Sequence, residues 1–239
     1  MLPHVIGLLA TRNRPAMAHQ AAHMFFAQQY TGSKTLYVYD DGTEPFTPCR
    51  SLATKDMAVV HHPPIRLPTK RNQMMRRAIA ADPEAIYFVW DDDDYNGPTR
   101  IARQVEALRA APAADGCILC PFLSYNTQTQ QLHRALQVNL HGMRLRVFTD
   151  ANLAFRRTLW ERLPWDEAVD PNACWRWMQL SHDQIIAIPA ENDYVVVRHG
   201  RNHTQDLLPQ VPDMRFWEQV VAATDVVTLL ARDHCCDRD

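Results

Sequence analysis

The sequence predicts an α/β fold: an open, mostly parallel central sheet flanked by helices, followed by a smaller mixed sheet. Three observations predict it. Through the first half, short apolar runs alternate with helical patterns, the signature of βα units feeding a parallel sheet. Polar clusters follow those runs at corresponding places, and the second half shifts to hairpin-like segments. Right-handed crossovers then make the sheet open and layered.

The elements follow in order. Strands are expected at His4 to Ala10, Thr35 to Tyr39, Ala58 to His61, Ala85 to Trp90 and Cys117 to Phe122, each a short apolar run bounded by polar or turn residues. Helices are expected at Pro15 to Gln29, which opens on a proline suited to a first helical turn, at Thr69 to Ala81, and at Pro98 to Ala110. In the second half, Ser124 to Phe148 reads as hairpin material with Gly142 at a turn. Asn152 to Leu163 runs from a strand into a short helix, Ile185 to Val197 reads as strands, and Asp213 to Ala231 as an amphipathic helix. No composition break, linker or repeat divides the chain, so residues 1–239 are expected to form one domain. It has a first half (1–115), a second half (116–210) and a C-terminal helix and tail (211–239).

Composition narrows the class. The 239 residues are 46% apolar and 22% charged, which excludes a disordered chain, and no apolar run approaches the roughly 20 residues of a membrane span. MLPHVIGLLATRNRP lacks a basic region before its short apolar run and reads as a first core strand, not a signal peptide. A net charge of −2 argues against nucleic-acid binding driven by bulk charge. The six cysteines (49, 117, 120, 174, 235 and 236) are scattered, with one CxxC inside the apolar GCILCPF; they read as thiols in a reducing cytoplasm, not as a zinc site or disulfide framework.

In an open α/β sheet, ligands bind outside the carboxyl ends of the strands. Three polar clusters fall there: TRNRP (Thr11 to Pro15), DDGTEP (Asp40 to Pro45) and DDDD (Asp91 to Asp94). Alone, the first could be a helix cap and the second a turn; their coincidence at strand ends points to a site. Two carboxylates about 4 Å apart repel by roughly 1 kcal/mol in water and about 4 kcal/mol at an effective dielectric near 20, so four in a row need an offsetting charge. If the strand stays extended, Asp91 and Asp93 share one face and Asp92 and Asp94 the other. A pair on one face suits Mg²⁺ or Mn²⁺, which takes one or two carboxylates and completes its octahedron with water and phosphate oxygens. Asp94 could instead cap the helix beginning near Pro98.

Taken together, VIGLLATRNRP, LYVYDDGTEP, KRNQMMRRAI and IYFVWDDDDYNGPTRIARQVEAL, in that order, resemble the nucleotide-sugar half of family 2 glycosyltransferases with the GT-A fold. NLAFRRTLWERLPWDE and YVVVRHGRNHT resemble that family's acceptor-side half, so the likeness spans most of residues 4–204. The resemblance implies an inverting, hexosyltransferase-like enzyme that uses a nucleoside diphosphate sugar, a UDP-sugar first, with Mn²⁺ or Mg²⁺. It implies donor contacts from Thr11, Arg12, Asp40, Asp41, Arg71, Asp91 and Asp92, with Thr11 and Asp41 against the base and Asp40 supporting the turn. Asp91 and Asp93 match the DxD motif, Asp93 as the direct metal ligand, and His199 corresponds to a histidine that can approach the metal or diphosphate.

The chain departs from the family where the base belongs. After WDE (Trp165 to Glu167) many relatives carry an acidic pair, whereas this chain reads AVDPNACWRW; Asp170 is the nearest acid and the candidate base, and a turn aspartate before Pro171 is its plain alternative. His199 and His203, four apart, fall in a glycine-containing segment, so their spacing carries nothing by itself. Trp160, Trp165, Trp175 and Trp177 suit either a core or sugar stacking, and Arg144, Arg146, Arg156 and Arg157 either an anionic acceptor or a solvated face. Two rival functions stand beside the transferase. A nucleotidyltransferase would want a glycine-rich loop after the first strand, which TRNRP lacks. A non-catalytic nucleotide-sugar or metal-binding module would tolerate the missing acidic pair. The acceptor, whether glycan, lipid-linked sugar, protein or modified nucleic acid, is left open.

Overall fold

The computed structural model describes residues 1–135, 137–140, 143–146, 149–168, 184–190, 192–199 and 217–220. Strands β1 (Val5–Thr11), β2 (Lys34–Asp40), β3 (Met57–His61) and β4 (Ile86–Val89) run parallel, with β1 between β4 and β2 and β3 at the edge. Every residue of β1 is buried, because helices cover both faces of a central parallel strand and it must be apolar throughout. The sheet continues past β4 through β11 (Ala154–Phe155), β6 (Gly116–Leu119) and β12 (Ile185–Ile188) to make seven strands. Only β11 runs antiparallel to its neighbours; β12 is parallel to β6.

Alternation along the strands splits the core into two layers. Val5, Leu9, Leu36 and Val38 face α1 (Pro15–Phe26) and α3 (Arg100–Ala110), packing on Ala21, Phe25, Ile101 and Val105. Ile6, Leu8, Tyr37 and Tyr39 face α2 (Leu67–Ala81) and α4 (Arg157–Arg162), packing on Met74, Met75, Ala78 and Leu159. Gly7 lets α1 close on the sheet, since a Cβ there would lie 2.6 Å from Phe25 Cε2 and 2.8 Å from Leu36 Cδ1. Proline in the opening turn of α1 and α2 suits backbone N–H groups that have no intrahelical partner.

The second sheet has five strands in the order β14-β8-β7-β13-β5: β5 (Tyr95–Asn96), β7 (Leu123–Asn126), β8 (Gln131–Ala135), β13 (Tyr194–Arg198) and β14 (Trp217–Val220). Only β7 and β13 are parallel, so the sheet is mixed. A separate antiparallel pair, β9 (Gln137–Leu140) and β10 (Met143–Arg146), supplies the expected hairpin, whose Gly142 lies outside the described residues. The helix expected over Asp213 to Ala231 meets a correction in its described part. Residues 217–220 form β14, which pairs antiparallel with β8; a partner edge distant in sequence decides the conformation of this segment against its helical pattern. No described helix is long and apolar enough to cross a membrane. Of the described cysteines, Cys117 and Cys120 are buried and Cys49 is exposed.

Candidate active site

The loops leaving β1, β2 and β4 and the first turns of α2 meet at the carboxyl edge of the central sheet. After β2, Asp40 holds the DDG turn: its Oδ1 accepts from Gly42 N at 2.8 Å and its Oδ2 from Phe46 N at 2.7 Å. Gly42 belongs there because a Cβ would lie 2.6 Å from Asn13 N. Asp41 Oδ2 accepts from Ile65 N at 3.0 Å, and its Oδ1 pairs with the buried Lys70 ammonium, which also donates to Thr11 O at 3.0 Å. Burial lowers the Lys70 pKa, and Asp41 works against that shift. Thr11, Arg12, Asp41, Ile65, Leu67 and Lys70 thereby line a cavity of about 400 Å³, with Arg12 exposed at its mouth. That volume lies in the range of small-molecule sites.

Beside the cavity lie the four aspartates, and here the extended reading is corrected. β4 ends at Val89 and the chain turns over residues 92–94 to enter β5 in the other sheet, so strict alternation breaks down. Asp91, Asp93 and Asp94 each place a carboxylate oxygen within 4.8 Å of the others. Asp92 stands apart from these three, accepting from Thr11 Oγ1 at 2.7 Å and lying 2.6 Å from Arg14 Nη2 in an ion-pair contact. Asp94 accepts from Tyr194 Oη and from Val197 N at 3.1 Å, and so ties to β13 and does not cap α3, whose N-cap Thr99 turns its hydroxyl to Asp193.

Each carboxylate has a different electrostatic position. Burial, with Asp150 and Asp93 nearby, pushes the Asp91 pKa up against the pull of Arg71. Burial and Asp93 push Asp92 up to about 7, and burial with Asp93 and Asp91 pushes Asp94 well up. Asp93 goes the other way: burial opposes its charge, but the His199 hydrogen bond and Arg14 together hold it below the usual carboxylate range. Arg14 Nη1 donates to Asp93 Oδ2 at 2.8 Å, and His199 Nε2 lies 3.3 Å from the same oxygen. A cluster of hard oxygen donors, two of them disfavoured as anions by burial and by the charge of Asp93, fits a divalent cation, which supplies the countercharge.

Arg71, expected at the nucleotide, faces this cluster: it donates to Asp91 Oδ1 at 2.7 Å and to Asp150. Trp165 Nε1 donates to Asp150 Oδ2 at 3.1 Å. The structure therefore gathers Thr11, Arg12 and Asp41 on the cavity and Arg71, Asp91, Asp93 and His199 on the acidic cluster, with Asp40 and Asp92 beneath both. Asp170, with Trp175, Trp177 and His203, lies outside the described residues. Sequence reasoning passed over Lys70, Arg14 and Asp150. The first two stand inside quoted motifs, whereas TDAN carries no signal for Asp150, which reaches the site only through the three-dimensional return of the chain after β10.

No protein-family model matches the chain, and no curated protein matches it in sequence. Solved structures do match in shape. Staphylococcus aureus TarS 1–349 in complex with UDP-GlcNAc superposes with a TM-score of 0.61 at 11% identity, covering 86% of this chain and 62% of that one. The complex of the same protein with UDP gives 0.59 at 12% identity, covering 81% and 60%. The mannosyltransferase PcManGT from Pyrobaculum calidifontis, in complex with GDP-Man and Mn²⁺, gives 0.55 at 14% identity, covering 85% and 59%. The chain thus spans about three fifths of the length of these proteins. At such identities the likeness shows the fold, and the central sheet with its smaller mixed companion is the GT-A arrangement expected from the strand-end motifs.

Proposed function

We propose that the protein is a metal-dependent glycosyltransferase of the family 2 type that moves a sugar from a nucleoside diphosphate donor, a UDP-sugar first, to an acceptor hydroxyl with inversion. The observation that carries this reading is the convergence of Asp91, Asp93 and Asp94 beside a cavity of about 400 Å³ at the carboxyl ends of β1 and β2. Structural neighbours that hold UDP, UDP-GlcNAc, or GDP-Man with Mn²⁺ support it.

In this reading the cavity takes the nucleoside, with Thr11 and Asp41 on the base and Arg12 at the mouth. Asp91 and Asp93 hold Mn²⁺ or Mg²⁺, with Asp94 and His199 beside them. The chemistry supplied by that cation is Lewis-acid neutralisation of the charge developing on the diphosphate leaving group. Arg14 and Arg71 orient the carboxylates and add positive charge at the same edge. The acceptor hydroxyl loses its proton to a carboxylate as its oxygen attacks the anomeric carbon. Asp150 is already engaged by Arg71 and Trp165; Asp170 is the proposed base.

The test is donor turnover, by hydrolysis or transfer, across a panel of UDP- and GDP-sugars with and without Mn²⁺. Asp93→Ala is expected to cost about a hundredfold or more, the equivalent of losing several kcal/mol of charge stabilisation, and excess EDTA should do the same to the wild type. Full activity in the variant or in EDTA would sink the metal-dependent reading. Donor binding with no turnover for any pair would make the protein a binding module.

A further inference from the structure

Arg100 is fully buried, yet the carboxylates lie beyond its hydrogen-bonding reach. Its Nη2 donates to Val89 O and to Ala151 O, both at 3.0 Å. Nη1 donates to Asn96 Oδ1, and Nε donates to Gln104 Oε1 at 3.1 Å. The guanidinium lies over three rings, 4.8 Å from the centroid of Trp90, 5.3 Å from Tyr194 and 5.9 Å from Phe88. An arginine that spends its donors on neutral backbone and amide oxygens costs desolvation that no ion pair repays directly.

What these partners share is their place in the chain. Val89 O is two residues before Asp91, and Ala151 O is one residue after Asp150. Asn96, which accepts from Nη1, itself donates from Nδ2 to Asp94 O at 3.3 Å. Tyr194, under the guanidinium, donates its hydroxyl to the Asp94 carboxylate. One planar fork therefore fixes the backbones of all three acid-bearing segments. Its charge lies behind the carboxylates, in a dry interior where such a field is weakly screened.

We propose that Arg100 is a positioning residue for the divalent-cation site, holding the segments of Asp91, Asp94 and Asp150 in register and supplying the buried countercharge that keeps the carboxylates together. The proposal rests on the metal reading given above. Lysine keeps the charge but cannot reproduce a planar fork to two backbone carbonyls and two side-chain amides.

The experiment is Mn²⁺ titration of the full chain, followed by the electron paramagnetic resonance signal of free Mn²⁺, with a circular-dichroism melt on the same samples. Arg100→Lys is expected to weaken Mn²⁺ binding by about 10- to 100-fold, the range seen when a partner supporting a metal ligand is lost. Asn96→Ala, which keeps the arginine and removes one acceptor, should shift it in the same direction by less. A bracket that served only the core would lower the melting temperature and leave Mn²⁺ affinity in the folded protein within about twofold of wild type; that result, in either variant that keeps the wild-type spectrum, overturns the proposal. Wild-type protein that takes up no Mn²⁺ would overturn the metal reading instead.

Discussion

Asn72 shows how much a single amide can organise. Its Nδ2 donates to Trp165 O at 2.9 Å and Glu167 Oε1 at 2.8 Å, and its Oδ1 accepts from Trp160 Nε1 at 2.9 Å and Trp165 N at 3.1 Å. All four polar positions of the side chain are used. The bonds also reach the site: Trp165 bears on Asp150, Asp150 on Arg71, and Arg71 on Asp91. Asn72→Ala leaves the buried Trp165 N–H and carbonyl without this partner, at about 1–3 kcal/mol for each group left unsatisfied. Urea unfolding should show a loss of more than about 2 kcal/mol with an unchanged slope. A loss under about 0.5 kcal/mol, the usual range for a surface change, would mean that water replaces the amide.

At the scale of elements, what was legible follows from how local each decision is. β1, β2 and β4 read directly because central parallel strands are apolar on both faces, and α1 because a proline opens it. In the polar first turns of α2 only Arg71 reads as site material; Lys70 and Asn72 stand in the same motif, but their roles depend on partners far away in sequence. Less legible was β11, two residues long and antiparallel between β4 and β6, since nothing within Ala154–Phe155 specifies partners that lie far away in sequence. The same holds for β14 and for the turn at the aspartates. Extended alternation over Asp91 to Asp94 was extrapolated from β4, and the need to reach a second sheet overrode it. Where local packing does decide, the consequence is testable. Gly7→Ala forces a methyl to within 2.6 Å of Phe25 between β1 and α1, and overpacking of this kind costs about 1–3 kcal/mol. Denaturant melts should register that loss, and a neutral result would show that Phe25 can turn aside.

At the scale of the whole molecule, the acidic cluster is where the two sheets are joined. Asp91 continues from β4 of the central sheet, while Asp94 leads into β5 and is held by Tyr194 and Val197 of β13 in the smaller sheet. His199, just past β13, reaches Asp93 from the same side. A ligand that draws these carboxylates together therefore stabilises the contact between sheets as well as itself, and binding to the native state alone adds RT ln(1 + [L]/Kd), about 2.7 kcal/mol at a hundred times Kd. Mn²⁺ should accordingly raise the melting temperature of the wild type and leave that of Asp93→Ala unchanged. Tyr194→Phe isolates the join. It removes one hydroxyl from a packed ring that also lies against Phe122 and Arg100, so the volume of the core is kept. The Asp94 carboxyl group then loses a partner in a dry site, worth about 1–3 kcal/mol for a buried group left unsatisfied. The expected outcome in scanning fluorimetry is a lower melting temperature without metal and a smaller upward shift on adding Mn²⁺, because Asp94 is then held by Val197 N alone. If the shift with Mn²⁺ matches that of the wild type, Asp94 serves to fasten the sheets and the cation depends on Asp91 and Asp93 without it.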